Sequence, residues 1–474
     1  MSTPKPPQII DRDAEWEALD SLWRSRRPEL GFVVGRRRIG KSFLLARFAA
    51  AAGGLYYQAT RRTEREQLQQ LSREAGRHFS DDGLELGSGF SDWEGFFRYL
   101  LRKADGGPFL LVLDEFPYLA EAAGALPSVL QSLWDHDFQE SRVKIILAGS
   151  YITAMTRLEE ADQPLYGRRT ARIPFGPFGL PEAAEFVPDW SVRDQMLMYG
   201  TYGNLPGHLN LADPDLQLSA NLERDLLSPS GRLTDDAQFT LDAFLGESGV
   251  HYTILEAVAR GARTWKELTN RVGRSGGSLL RPLVWLEDMG LLRRDVPVTE
   301  RRPEKSRKAV YRLTDPYLLL WNRVIAPLVH AGSIGLVPPP VLWDEYLAPA
   351  LDDHMGEVFE EVCRDYVARR GRAGELPFQP VRVGSWWDAR EQVDIVALGR
   401  DGEVLAGEAK WGVVDGRDLQ TLRRRARLLQ QDVGSAGEPH LMLFSGRGEF
   451  DDGVQAASAR GEVTLVGPEG LVSG

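Results

Sequence analysis

The most specific chemistry in the chain sits in eight residues. Gly35-Arg36-Arg37-Arg38-Ile39-Gly40-Lys41-Ser42 fits the pattern G-x-x-x-x-G-K-[ST]. An apolar run, Gly31-Phe32-Val33-Val34, precedes it, and Ser42 to Phe48 comes next with helical spacing. Glycines at both ends let backbone N–H groups turn inward around phosphates, at a helix N-terminus that already favours anions. Lys41 would reach the β- and γ-phosphates of ATP, and the Ser42 hydroxyl would bind Mg²⁺. Phe43 completes the expected set of nucleotide contacts. The bland alternative is a glycine-bounded basic surface loop.

A P-loop needs an acidic residue at the end of a neighbouring buried strand. Phe109-Leu110-Leu111-Val112-Leu113-Asp114-Glu115 supplies two. Asp114 would hold the Mg²⁺ shell, and Glu115 would orient or polarise the attacking water. The same two acids could instead cap the next loop. Lys144-Ile145-Ile146-Leu147-Ala148-Gly149-Ser150 is a further apolar strand ending in a polar residue. Ser150 reads either as a sensor of the γ-phosphate or as a helix N-cap, which serine also favours. In Gly167-Arg168-Arg169, Arg168 is a candidate for the arginine that neutralises transition-state charge, in cis or from a neighbouring subunit. A solvated basic turn is the other reading.

A second set of acids lies near the C-terminus. Glu357 falls on a helix, Asp394 opens Asp394-Ile395-Val396-Ala397-Leu398, and Glu408-Ala409-Lys410 lies beyond it. Side chains alternate along a strand, so Glu408 and Lys410 share one face. This spacing resembles the PD-(D/E)XK nuclease core. The resemblance implies Mg²⁺ on Asp394, Glu408 and Glu357, with Glu361 one turn later, and Lys410 orienting the nucleophile. Relatives usually carry an acid two residues before the Asp, whereas Gln392 stands there and Glu391 is one step off. A surface salt bridge between these acids and the lysine is the alternative. Arg423-Arg424-Arg425 and Arg427 would either approach a phosphate backbone or form a solvated helix face.

These groups must be positioned by particular elements. Apolar strands at 55–58, 109–113 and 144–148 alternate with helical patterns around 63–78, 91–103 and 124–138. That alternation predicts a parallel sheet with helices on both faces. Residues 8–30 read as an amphipathic helix, and from about 178 the pattern becomes helical. Residues 250–313 read as three helices and a β-hairpin, with Leu279, Leu280, Leu283, Leu286 and Met289 facing inward. Between 293 and 312 eight Arg or Lys stand against Asp295, Glu300 and Glu304, a net of +5. A positive hairpin beside three helices suits phosphate contact with duplex DNA, although Arg271, Arg274 and Arg281 would read few bases. It could equally pack against another domain. Pro338-Pro339-Pro340 reads as a linker.

Composition sets the outer bounds. At 474 residues the chain needs several domains. Its net charge of −11 excludes a uniformly basic coat but not a local basic patch. Lysine is scarce, 8 against 49 Arg, so Lys41 and Lys410 within motifs stand out. One cysteine, Cys363, cannot form an internal disulfide, and no apolar stretch reaches the roughly 20 residues of a membrane span. A cytoplasmic protein without a membrane role is expected.

Asp11-Arg12-Asp13-Ala14-Glu15, the arginine-filled P-loop, Leu-Asp-Glu-Phe, Ala148-Gly149-Ser150-Tyr151 and Pro164-Leu165-Tyr166-Gly167-Arg168 together resemble the archaeal-type AAA+ ATPases, distant relatives of the STAND and origin-recognition ATPases. Gly203-Asn204-Leu205-Pro206-Gly207 looks like the lid element that approaches the nucleotide in that family, through Pro206. The resemblance implies an α/β P-loop sheet with a helical lid, then a winged helix and a small restriction-endonuclease-like α/β domain. The expected ranges are a disordered leader at 1–7, the ATPase core at 8–177, the lid at 178–243, the winged helix at 244–336 and the nuclease-like domain at 341–474. Three functions are open: an ATP-dependent machine acting on double-stranded DNA with an active nuclease, a STAND-like signalling ATPase that assembles as a homo-oligomer on nucleotide exchange, or a DNA-binding regulator with an inactive nuclease fold.

Overall fold

The structure is a computed structural model that describes residues 2–473 apart from 88, 105, 151, 239–248 and 436. Tyr151 and the expected lid boundary at 243/244 therefore lie outside the described residues. The chain divides into two compact units, Met1–Pro177 and Phe178–Gly474.

In the first unit, β1 (Glu29–Val34), β2 (Leu55–Gln58), β3 (Pro108–Asp114), β4 (Arg142–Gly149) and β5 (Ala171–Pro174) form one parallel sheet in the order β2-β3-β4-β1-β5. Both central strands β3 and β4 are buried at every residue after the first, which is why they read as unbroken apolar runs. Helices α1 (Asp13–Arg24), α2 (Lys41–Ala52), α3 (Glu64–Phe79) and α4 (Trp93–Ala104) alternate with the first strands. Thr63 starts α3 with a reciprocal capping box to Glu66. The expected helix over 8–30 is shorter, because Arg12 adopts a left-handed backbone (φ 64°) before its first turn and Pro28 cannot sit in a helix interior. The leader is not free either. Thr3 N–H donates to Asp20 Oδ1 at 2.7 Å, and Trp16 Nε1 donates to Thr3 O at 2.6 Å.

The second unit begins with short helices and α5 (Val192–Tyr202). Three further helices, α6 (Gly249–Ala259), α7 (Trp265–Val272) and α8 (Gly277–Asp288), accompany an antiparallel ribbon of β6 (Leu292–Asp295) and β7 (Val310–Leu313). Thr264, ahead of α7, bridges to Val310 as the beginning of a third strand. Leu279, Leu283 and Leu286 are buried, but Leu280 is exposed together with Val284 one turn on, because only the 3–4 spacing from Leu279 faces the core. Pro338-Pro339-Pro340 is not a linker. Pro338 caps, and Pro339 opens, a helical run that continues into α9 (Ala348–Arg372), since proline's fixed φ suits a first helical turn.

The rest is a five-stranded sheet in the order β12-β11-β10-β9-β8. β8 (Pro380–Trp387), β9 (Gln392–Gly399) and β10 (Val404–Lys410) are antiparallel. β11 (His440–Ser445) and β12 (Thr464–Val466) run parallel to β10, after α10 (Gly416–Val433) and α11 (Asp452–Ala459). Among the described residues no helix is long and apolar enough to cross a membrane.

Candidate active site

Parallel strands present their carboxyl ends together, and β1, β3 and β4 end in the P-loop, in Asp114 and next to Ser150. β4 lies between the other two, so Ser150 comes between loop and acids. Gly35 is buried where the loop leaves β1; a Cβ there would stand 2.9 Å from both Cβ and the carbonyl oxygen of Phe175. Gly40 turns with φ 93° and caps α2, and Arg38 also has positive φ (66°). Ile39 is buried beneath the loop, Arg36 is half-buried, and Arg37, Arg38 and Phe43 are exposed. The guanidinium of Arg47 lies over the Phe43 ring at 3.3 Å.

Lys41 is buried. Its ammonium donates to Gly35 O (2.7 Å), Arg36 O (2.9 Å) and Ser150 Oγ (3.0 Å). Burial pushes its pKa down to about 8, against the pull of Glu115 and then Asp114. Ser150 passes the chain on: its hydroxyl donates to Glu115 Oε1 at 2.5 Å, and its N–H donates to Oε2 at 3.2 Å. Glu115 sits in the left-handed region (φ 53°) ahead of the short helix Phe116–Ala122. Its own N–H donates to Asp114 Oδ1 at 2.9 Å, and Asp114 is fully buried. The P-loop lysine, Ser150, Glu115 and Asp114 thus form one hydrogen-bonded series across three strand ends.

Two other nucleotide candidates lie elsewhere. Arg168 forms a fork on Asp135 (2.9 and 2.6 Å) and donates to Pro164 O and Tyr166 O (2.9 Å each), so it holds its own loop rather than either P-loop acid. Pro206 belongs to the second unit, where it opens the single turn Pro206–Leu209.

The C-terminal acids are differently placed from the expected metal set. Asp394 on β9 is buried; its carboxylate accepts from Gln392 Nε2 (3.0 Å) and Ala409 N (3.2 Å). Glu408 on β10 takes Arg425 Nη1 on both oxygens at 2.8 Å, and Arg425 Nε reaches Glu391 at 3.1 Å. Burial and the Asp394 carboxylate push Glu408 up to about 7, against Arg425. Lys410 bonds both oxygens of Asp418 (3.0 and 2.9 Å). Glu357 does not join them. It is held by Arg323 (2.5 Å) and Arg263 (2.7 Å), which outweigh burial and keep its carboxyl below the usual value. Three residues on, Glu360 is the acid of α9 that feels the Asp394 charge, which with burial raises its pKa. Among the described residues no group of three or more His, Cys, Asp or Glu is placed to hold a metal ion.

The basic ribbon is also partly spoken for. Arg293 pairs with Glu361 (2.5 Å) and Asp295 (2.6 Å), and Arg312 approaches Asp295, Glu357 and Glu360 at 3.5–3.8 Å. Val298 N–H donates to Ser385 O on β8, and its side chain joins the core of the C-terminal sheet. Arg301, Arg302, Lys305 and Arg307 in the turn remain exposed.

Residues 9–209 match the family model of an ATPase domain predominantly from Archaea. This part of the chain is similar to an archaeal ATPase domain. Residues 321–422 match a family of archaeal and bacterial proteins of unknown function. An uncharacterized protein of Methanocaldococcus jannaschii is 27% identical over 418 residues, covering 88% of this chain and 90% of its own. Among solved structures, a Walker-type ATPase of Pyrococcus abyssi aligns at 20% identity and TM-score 0.54, over 68% of this chain and 99% of that one. The ORC2 protein of Aeropyrum pernix aligns at 16% identity and TM-score 0.44, over 70% and 96%.

Within the first unit two side chains were given no role by the sequence. Arg12, buried ahead of α1, donates from Nη2 to Ile39 O at 3.0 Å and so braces the P-loop. Tyr56 on β2 donates its hydroxyl to Asp114 Oδ2 at 2.7 Å. Nothing in a lone Leu-Tyr-Tyr-Gln strand says that it lies beside β3; only the strand order does.

Proposed function

We propose that the first unit binds ATP with Mg²⁺ and hydrolyses it. The observation that carries this is the hydrogen-bonded series Lys41–Ser150–Glu115–Asp114 at the mouth of the P-loop. The donor set fits a hard cation: the Ser42 hydroxyl and the buried Asp114 carboxylate are oxygen ligands of the kind Mg²⁺ takes. The cation would supply charge neutralisation on the β- and γ-phosphates. Backbone N–H groups from Gly35 to Phe43 would cradle those phosphates, and Lys41 would exchange its loop carbonyls for phosphate oxygens. Ser150 would then be free to contact the γ-phosphate, and Glu115, released from Ser150, would hold the attacking water. Calorimetry with Mg-ATP tests this directly. Wild type is expected to bind saturably and Lys41→Ala not at all; no binding by wild type refutes the reading. Arg168, tied to Asp135, would serve as a transition-state arginine toward a second copy.

For the second unit we infer a winged helix, from α6, α7, α8 and the β6–β7 ribbon, joined to a restriction-endonuclease-like domain built on α9 and β8–β10. Charge pairing favours a binding role over cutting. Arg425 on Glu408 and Asp418 on Lys410 occupy the groups that a metal and a nucleophilic water would need. DNA contact would fall to the exposed turn Arg301, Arg302, Lys305 and Arg307. Removing those four charges should flatten the salt dependence of duplex binding. Plasmid incubated with Mg²⁺, with and without ATP, separates the alternatives: cleavage by wild type that is lost in Glu408→Ala would restore the nuclease.

A further inference from the structure

The acids of the ATPase domain are held from one side by a residue outside both P-loop and acidic strand. β2 pairs in parallel with β3, Tyr56 opposite Val112 and Gln58 opposite Asp114. Alternation sends Tyr57 into the core, where its hydroxyl bonds Gln67, and sends Tyr56 to the opposite face. There the Tyr56 hydroxyl donates to Asp114 Oδ2 at 2.7 Å.

A carboxylate only accepts, and a phenol has one hydrogen, so that hydrogen goes to Asp114. Asp114 is pinned at two points, Oδ2 by Tyr56 and Oδ1 by the Glu115 N–H at 2.9 Å. Each carboxylate oxygen keeps a further lone pair for a cation.

We propose that Tyr56 is a positioning residue for the metal, its hydroxyl fixing the Asp114 carboxylate so that it presents an oxygen lone pair to Mg²⁺; the assignment rests on reading the P-loop as an ATP site. Ligands oriented by such outer partners typically lose about 10- to 100-fold in metal affinity when the partner is removed.

The test is binding of a fluorescent ATP analogue to the full chain as Mg²⁺ is titrated, with no turnover needed. Tyr56→Phe removes one oxygen and keeps the ring. The variant is expected to bind analogue without Mg²⁺ as wild type does, and to need about 10-fold more Mg²⁺ to reach its tight-binding state. Asp114→Asn should shift the midpoint too, and adding Tyr56→Phe to it should bring little further change, because Tyr56 acts through that carboxylate. An unchanged midpoint in Tyr56→Phe, an equal loss of metal-free binding, or full additivity with Asp114→Asn each overturns the proposal. Additivity remains decisive even if Tyr56→Phe melts earlier, since a purely structural defect adds to Asp114→Asn. If wild type fails to bind the analogue at any Mg²⁺ concentration, the ATP-site reading falls first and this assignment with it.

Discussion

His354 should make the second unit acid-sensitive by a calculable amount. It lies buried on α9, with Nε2 2.7 Å from Gly200 O on α5. A carbonyl only accepts, so Nε2 carries the hydrogen and Nδ1 is bare, buried and without a hydrogen-bond partner. A second proton would place a charge in that apolar spot, and burial pushes the imidazole pKa from 6.5 down to about 4. The unfolded chain therefore takes up a proton that the folded one refuses. Stability is complete above about pH 7, declines as pH falls below 6.5, and levels off under pH 4. At pH 4.5 the loss relative to pH 7.5 is on the order of 2–3 kcal/mol from this residue alone. His354→Gln keeps an N–H for Gly200 O but cannot titrate. Urea unfolding at the two pH values should thus show a loss in wild type larger than in the variant by roughly that amount. Equal losses in the two proteins would show that His354 is already charged, or solvated, in the native state.

Three further outcomes are expected from the same geometry. Glu115→Gln should retain Mg-ATP binding while hydrolysis falls by roughly 10²-fold or more, as measured by phosphate release; a normal rate would reassign the water-activating group. Gly35→Ala forces a Cβ to within 2.9 Å of Phe175, and overpacking of about 1–3 kcal/mol should weaken ATP binding by roughly 5- to 150-fold in calorimetry. Glu361→Gln removes the charge that Arg364 and Arg293 use to hold this carboxyl well below its usual range despite burial, so amides of β6 and β7 should exchange hydrogen faster. Unchanged protection would mean that apolar contacts such as Val298 hold the ribbon unaided.

Much of the first unit's architecture was legible because its information is local. A glycine-bounded loop between strand and helix, and an apolar strand ending in Asp114-Glu115, each point to a chemistry within eight residues. Buried parallel strands announce themselves as unbroken apolar runs, and the Thr63 and Thr264 capping boxes mark helix starts by spacing alone. The triproline was misjudged because proline both breaks and opens helices, and the residues downstream of it decide between the two. Helix phase was the other weak point. Leu280 lies one face away from where the pattern put it, since a single residue turns a helix by 100°.

By itself the sequence singled out the groups proposed to hold phosphate and metal and determined which strands would be buried, because backbone turn propensity and hydrophobic period are properties of neighbouring residues. Tertiary structure decided which charges meet. Strand order set Ser150 between Lys41 and Glu115 and brought Tyr56 to Asp114. It also spent the ribbon's Arg293 on Glu361, and gave Arg425 to Glu408. Ion pairs and relays join residues far apart in the chain, and no local spacing records them.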